Sequence, residues 1–208
     1  MQQIVECVPN FSEGRDKNVI KKITDVIEAV RGIQLLDVDP GESTNRTVVT
    51  FIGDPAAVQE AALRSVKAAA ELIDMAQHHG EHARMGATDV LPFVPVANVT
   101  LEECVAMAQH VGQRIGEELG IPVYLYEYAA TKPERRNLAT IRAGEYEGLA
   151  RKLADPNWQP DFGPTQFNAK SGATIVGARD FLIAYNINLN TTDRRYATDI
   201  AYELRERG

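Results

Sequence analysis

Residues His78 to Asp89, reading HHGEHARMGATD, hold three of the chain's four histidines together with two glycines, one arginine and two acids. An imidazole can accept and return a proton near neutral pH, which contributes roughly 10²- to 10⁴-fold in rate when it is well placed. An arginine beside it offers a planar fork for a carboxylate or phosphate. The same histidines could be metal ligands, since positions i and i+4 share a helix face. Against that, Gly80 interrupts any helix between His78 and His82, no cysteine joins them, and Glu81 and Asp89 stand at no recognised ligand spacing. The expectation is one working base, His82, with Arg84 as an anion contact, Gly80 and Gly86 allowing tight loop geometry, and no metal.

Other polar groups cluster at the ends of apolar runs. Val8 to Gly14 and Asp39 to Arg46 are two such loops, and Asn186 and Asn188 interrupt an apolar stretch where they either staple a sheet or face a ligand. Arg135, Arg136 and Arg142 read as a solvated face, while Tyr124 and Tyr126, two apart, read as one buried strand face. No G-x-x-x-x-G-K loop is present, which weighs against nucleotide binding.

The elements that must position these groups follow from periodicity. Ile4 to Val8 is a short apolar run ended by Pro9-Asn10, and Lys17 to Val30 places Val19, Ile20, Ile23, Val26, Ile27 and Val30 at helical spacing. Ile33 to Val38 reads as a buried strand, Asp39 to Ser43 as a turn, and Arg46 to Ile52 as a second strand. Asp54-Pro55 is an N-cap and first-turn proline, opening an alanine-rich helix to about Met75. Past the histidine loop, Val90 to Val96 carries Pro92 and Pro95 and so reads as an edge or irregular strand. Thr100 and Glu103 form a capping box for a helix to Leu119 that Gly120 closes, and Val123 to Tyr126 is a strand.

This order, β-α-β-β-α-β followed by one helix and one strand, is an α+β, ferredoxin-like split βαβ arrangement. Ala129 to Pro164 changes to charge and turns, a wrapping segment, and Asp161 to Gly172 is a loop able to cradle a ligand with backbone groups. Ala173 to Val176 and Phe181 to Leu189 read as strands and Thr192 to Arg207 as a helix. Residues 1–178 are thus expected to form one subdomain, and 179–208 read as the start of a second, similar one, as a truncated chain would leave it.

Composition narrows the class. With 208 residues, 44% hydrophobic and 25% charged, the chain can bury a real core. No window suits a membrane span and MQQIVECVPNF lacks a signal-peptide pattern, so a cytoplasmic protein is expected. Cys7 and Cys104 are too few for a disulfide framework and read as buried, reduced and inert. A net charge of -7 argues against nucleic acid as partner but leaves room for small anions.

The stretches VECVPNFSEGR, LLDVDPGESTNRTV, IDMAQHHGEHARMGATDV, PVYLYEYAA, IRAGEYEGL and PDFGPTQFNAKSGATIVGARDFLIAYNINL, in this order, resemble glutamate formiminotransferase. The likeness is to the N-terminal transferase part of the bifunctional formiminotransferase-cyclodeaminase and to its free-standing bacterial counterparts. It implies transfer of a formimino group from N-formimino-L-glutamate to N5 of tetrahydrofolate, in histidine breakdown, by a homodimer. The family's catalytic histidine matches His82. Its folate-binding loop matches Gly163, Pro164, Thr165, Gln166, Phe167, Asn168, Ala169, Lys170, Ser171 and Gly172. Asp39, Asn45, Arg46 and Arg84 are nominated beside these as substrate-binding groups, because both substrates carry carboxylates. The competing readings are a 5-formyltetrahydrofolate cyclo-ligase type of folate enzyme, a non-catalytic folate-binding fragment and a metal hydrolase.

Overall fold

In the computed structural model residues 1–183, 187 and 189–204 are described. The first apolar run forms β1 (Ile4–Cys7) and, after a break at Val8-Pro9, β2 (Asn10–Phe11). The helix α1 (Lys17–Glu28) follows, capped by Asp16, whose carboxylate accepts from the Asn18 and Val19 amides. Next come β3 (Gln34–Gly41), β4 (Arg46–Gly53) and α2 (Pro55–Leu72), the last capped by Asp54 with Pro55 in its first turn. Then β5 (Thr88–Ala97), α3 (Leu101–Leu119) and β6 (Val123–Glu127) complete the regular run. Thr100 and Glu103 make the reciprocal capping box, and Gly120 ends α3 in the left-handed region, φ +63°.

One sheet carries all the strands in the order β3, β4, then β1 and β2 end to end, then β5, β7 (Thr174–Ala178) and β6. The first four positions are antiparallel and reproduce the split βαβ core. In the added half β7 lies parallel between β5 and β6. Side chains alternate across it as strand geometry requires. Leu91, Phe93, Val123, Leu125 and Val176 join α1, α2 and α3 in the main core. Val90, Tyr124, Tyr126 and Ile175 point the other way, onto α4 (Leu138–Arg142) and α5 (Glu145–Ala154). The segment after β6 therefore does more than wrap: it seals the second face of the sheet.

Several expectations need correction. The proline-bearing strand β5 is central, flanked by β1 and β2 on one side and β7 on the other. Its prolines are tolerated because of where their nitrogens point. The Pro92 carbonyl accepts from the Val8 amide, so the Pro92 nitrogen faces the break between β1 and β2. The Phe93 carbonyl accepts from Arg179, so two residues on Pro95 faces the β7 side beyond the last pair, Phe93 with Ala178. The reading of Ile33 to Val38 as buried and Asp39 to Ser43 as a turn also changes. β3 continues to Gly41, pairs Asp39 and Pro40 with Val48 and Thr47, and is a half-exposed edge, which is where a proline is allowed.

The long helix ends at Leu72, with Met75–Gln77 forming a separate short turn of 3-10 helix. Arg135 and Arg142 are not a solvated face. Arg135 is 1% exposed, paired with Asp161 at 2.6 Å and lying over the rings of Tyr124 and Trp158. Arg142 reaches down to Asp89. Arg136 is exposed as expected.

Both cysteines are buried, and burial raises their thiol pKa, that of Cys104 to about 11, which suppresses the thiolate. None of the described residues between Phe181 and Leu189 is in a strand; Asn186 and Asn188, and the reading placed on them, lie outside the described residues. The last helix, α6 (Arg194–Leu204), buries none of its side chains. No helix among the described residues is long and apolar enough to cross a membrane.

Candidate active site

The histidine loop leaves α2 and returns at the start of β5, and three neighbouring segments hold it. Asn45, in the left-handed region at φ +48°, is the main fastener. Its side chain accepts from the Gly14 amide at 3.0 Å and donates to the His79 carbonyl at 3.0 Å, and its own carbonyl accepts from His78 Nε2 at 2.8 Å. Gly80 lies so close to this turn that a Cβ would stand 2.2 Å from the Thr44 carbonyl oxygen. The Ser12 hydroxyl donates to the Gly86 carbonyl at 2.7 Å, and the Ala87 amide donates to the Ser171 carbonyl at 2.9 Å. The loop thus has a defined shape although residues 78–87 lie in no regular element.

Arg84 is buried and its donors are committed within the protein. Nε donates to His78 Nδ1 at 3.3 Å, Nη1 to Glu145 at 3.0 Å, and Nη2 to Glu147 at 2.6 Å. With Nδ1 accepting, His78 must carry its proton on Nε2, the tautomer that reaches Asn45. Burial, then the Arg84 charge, holds His78 below the ordinary histidine pKa against the opposing pull of its bond to Asn45. Two groups nominated as substrate contacts, Asn45 and Arg84, thus have partners that position the loop. A hollow of about 440 Å³ beside Arg84 is lined by His79, Gly80, Gly144, Glu145 and Glu147, and His82 is not part of its lining.

His82 is half-buried and differently engaged. Its Nδ1 lies 2.6 Å from the Ala83 carbonyl oxygen and its Nε2 2.7 Å from Arg46 Nη1. A carbonyl can only accept and a guanidinium can only donate, so the proton sits on Nδ1 and the lone pair on Nε2. Burial, followed by the Arg46 charge, lowers the His82 pKa below its usual value, so the imidazole is neutral at pH 7. Asp89, whose charge reaches His82, is 0% exposed, accepts from the Met85 amide at 2.9 Å and pairs with Arg142. Arg46 is half-buried; burial, then the Arg142 charge, lowers its pKa, and Asp89 and the exposed Asp39 of the edge strand oppose that. Sequence reasoning missed Asp89 and Arg142 as a pair; they are separated by 53 residues and share no period.

The glycine-rich loop comes to this place from the other side. Its start is anchored by Asp161, which accepts from the Leu125 amide, Thr131 and Arg135. Gly163, at φ +81°, packs on Gly116 and Ile121, with Pro164, Thr165 and Gln166 following it outward. The second half approaches the histidine loop. Phe167 lies 5.5 Å from the Tyr146 ring, the Tyr146 hydroxyl donates to the Ala169 carbonyl at 2.6 Å, and Lys170 Nζ donates to the Glu71 carbonyl at 2.8 Å. Asn168 Oδ1 accepts from the Lys170 and Ser171 amides, and Gly172, at φ +65°, sits against Met85 and Gly86. Ser171 and Gly172 are therefore joined to the His82 loop through backbone contacts, Phe167 and Ala169 lie against Tyr146, and Gly163 belongs to the α3 end of the sheet. Among the described residues no group of three or more His, Cys, Asp or Glu side chains is arranged to hold a metal ion.

A split βαβ sheet extended by a parallel β-α-β half, with an imidazole hydrogen-bonded to one guanidinium and in the field of a second, is a framework able to carry acid–base chemistry on a small molecule. The sequence pattern described as "Formiminotransferase domain, N-terminal subdomain" matches residues 4–179, and the chain belongs to this family. Relatives support the assignment over the whole chain. It is 58% identical over 208 residues to a formimidoyltransferase-cyclodeaminase from Gallus gallus and 55% identical to one from Dictyostelium discoideum, covering 100% of this chain and 38% of each relative. It is 49% identical to a glutamate formimidoyltransferase from Streptococcus pyogenes serotype M1, covering 100% of this chain and 70% of that protein. The chain thus spans well under half the length of the bifunctional relatives it matches.

Proposed function

We propose that this chain provides the catalytic base and part of the folate site for transfer of a formimino group from N-formimino-L-glutamate to N5 of tetrahydrofolate, yielding L-glutamate. The observation that carries the reading is the His82 tautomer: Nδ1 is tied to the Ala83 carbonyl, which leaves Nε2 as the basic nitrogen of a neutral ring. In the reaction N5 attacks the formimino carbon and loses its proton to Nε2. The same proton then goes to the glutamate nitrogen as the carbon–nitrogen bond to glutamate breaks, so a single base serves both halves. Binding supplies the proximity of the two substrates.

Tetrahydrofolate is a co-substrate held by the Gly163–Gly172 loop, whose Ser171 and Gly172 end contacts the histidine loop. Arg46 and Asp39 face the formiminoglutamate side, while Asn45 and Arg84 shape the loop that carries His82. Residues 1–178 act as one subdomain and 179–208 begin a second; the exposed Phe181, Leu182 and Ile183 and the unburied α6 support that division. The wider setting is a cytoplasmic homodimer acting in histidine breakdown. The names of the relatives favour formimino transfer over cyclo-ligase chemistry.

The test is formimino transfer by the purified chain and its His82→Ala variant, followed by formation of 5-formiminotetrahydrofolate. The variant should keep its fold and lose at least roughly 10²-fold in turnover. Turnover near that of the parent chain would remove His82 from the mechanism.

A further inference from the structure

We infer that Arg46 is a latch on the base: it holds His82 Nε2 in the free protein and releases it by moving onto a carboxylate of the amino-dicarboxylate substrate. This rests on the reading of His82 as the base and adds how that base is switched on. An imidazole nitrogen has one in-plane lone pair. At 2.7 Å from Arg46 Nη1 the lone pair of Nε2 is occupied, and Nδ1 is held as a donor by Ala83. In this arrangement His82 cannot take a proton from an attacking amine until Arg46 leaves.

Arg46 is also the guanidinium of the site without a carboxylate. Arg84 has Glu145 and Glu147, Arg135 has Asp161, and Arg142 has Asp89, whereas Arg46 forms no ion pair among the described residues. A neutral imidazole is a weaker partner for a guanidinium than a carboxylate, whose charge-assisted, two-point bonds are roughly twice as strong as neutral ones. Arg142 next to it leaves two cations facing one buried carboxylate, so an anion entering here gains from both. The backbone at Arg46 is fixed by the Asn45 fastener and the β4 ladder, so the motion required is of the side chain alone.

The consequence is a form of substrate selection. A ligand without the carboxylate leaves Arg46 on Nε2, and it is turned over slowly as well as bound weakly. Selection through the base in this way acts on turnover, which plain binding does not.

The experiment is ¹⁵N NMR of the imidazole of His82 in the full 208-residue chain, titrated with L-glutamate. Bound glutamate should shift Nε2 from its hydrogen-bonded position toward that of a free imidazole nitrogen and raise the His82 pKa. Arg142 and Asp89 stay in place around the ring. Arg46→Ala should show the shifted Nε2 signal without ligand, respond no further to glutamate, and bind it at least about 10-fold more weakly. Arg46→Lys, which keeps the charge without the fork and guards against misfolding of the alanine variant, should fall between them. Glutamate that binds without moving Nε2, or that fails to bind, or an Arg46→Ala chain with unchanged affinity, overturns the latch. Failure of the base assignment is read separately, from turnover of His82→Ala.

Discussion

Replacing Asp89 by alanine removes a fully buried carboxylate whose charge reaches His82, and its effect can be worked from the geometry. Asp89 is 0% exposed and accepts from Arg142 and from the Met85 amide. Without it, Arg142 keeps a side chain only 14% exposed whose Nε already lacks a partner, and the Met85 amide is orphaned in a residue that is itself 0% exposed. Removing one member of a buried pair costs about 3–5 kcal/mol. The stranded amide contributes about 1–3 kcal/mol of that, within the total and not in addition. Against the roughly 5–15 kcal/mol that holds a domain together, this is a large share.

Urea unfolding at pH 7, followed by far-UV circular dichroism, measures it. With a slope of about 2 kcal/mol per molar, the midpoint should fall by about 1.5–2.5 M. Replacing both partners, Asp89→Ala with Arg142→Met, should lose less than the sum of the two single changes, because an apolar pair leaves no stranded charge. The exposed Asp193–Arg195 pair is the control, and Arg195→Ala should leave the midpoint unmoved. A loss below about 1 kcal/mol for Asp89→Ala, or strict additivity in the double variant, would refute the account of this pair as the floor of the site.

Two further outcomes follow from the same geometry. Because burial and Arg46 hold His82 below the ordinary histidine pKa of about 6.5, its ring is mostly neutral at pH 7, as the proposed base must be. kcat/KM, which reports the free protein, should fall on an acid limb whose midpoint lies below the ordinary histidine value; a midpoint above 7 would contradict it. Gly172→Ala should be far more damaging than Gly120→Ala although both sites have nearly the same positive φ. A Cβ at 172 would lie 2.2 Å from the Met85 carbonyl oxygen, while at 120 nothing stands within 4 Å. Strain is common to both, so the excess measures the docking of the glycine-rich loop, and hydrogen exchange at the Ala87 amide should accelerate only in the former. Equal losses would mean the two loops are not coupled.

Much of this was legible in local pattern. The caps at Asp54 and Thr100, the helix stripes, and the sharp break at Gly120 are written in neighbouring residues, and the structure places elements close to where they point. What local pattern misjudged were the positions whose meaning depends on a distant partner. Pro92 and Pro95 look like edge residues until the break between β1 and β2 and the short reach of β7 show where their nitrogens face. Arg135 and Arg142 look solvated until Asp161 and Asp89, far along the chain, are brought beneath them.

The sequence by itself determined most elements of the split βαβ core and their order, the family and the choice of His82 as the group to watch, because periodicity, capping and contiguous motifs are short-range properties of a chain. Only the tertiary structure decided which nitrogen of His82 is basic, that Arg46 occupies it, and that Arg84 supports the loop while its charge is spent on Glu145 and Glu147. Those are statements about burial and about hydrogen-bond partners across the sheet. A residue type fixes how many donors and acceptors it has, but the fold alone fixes which of them are already taken.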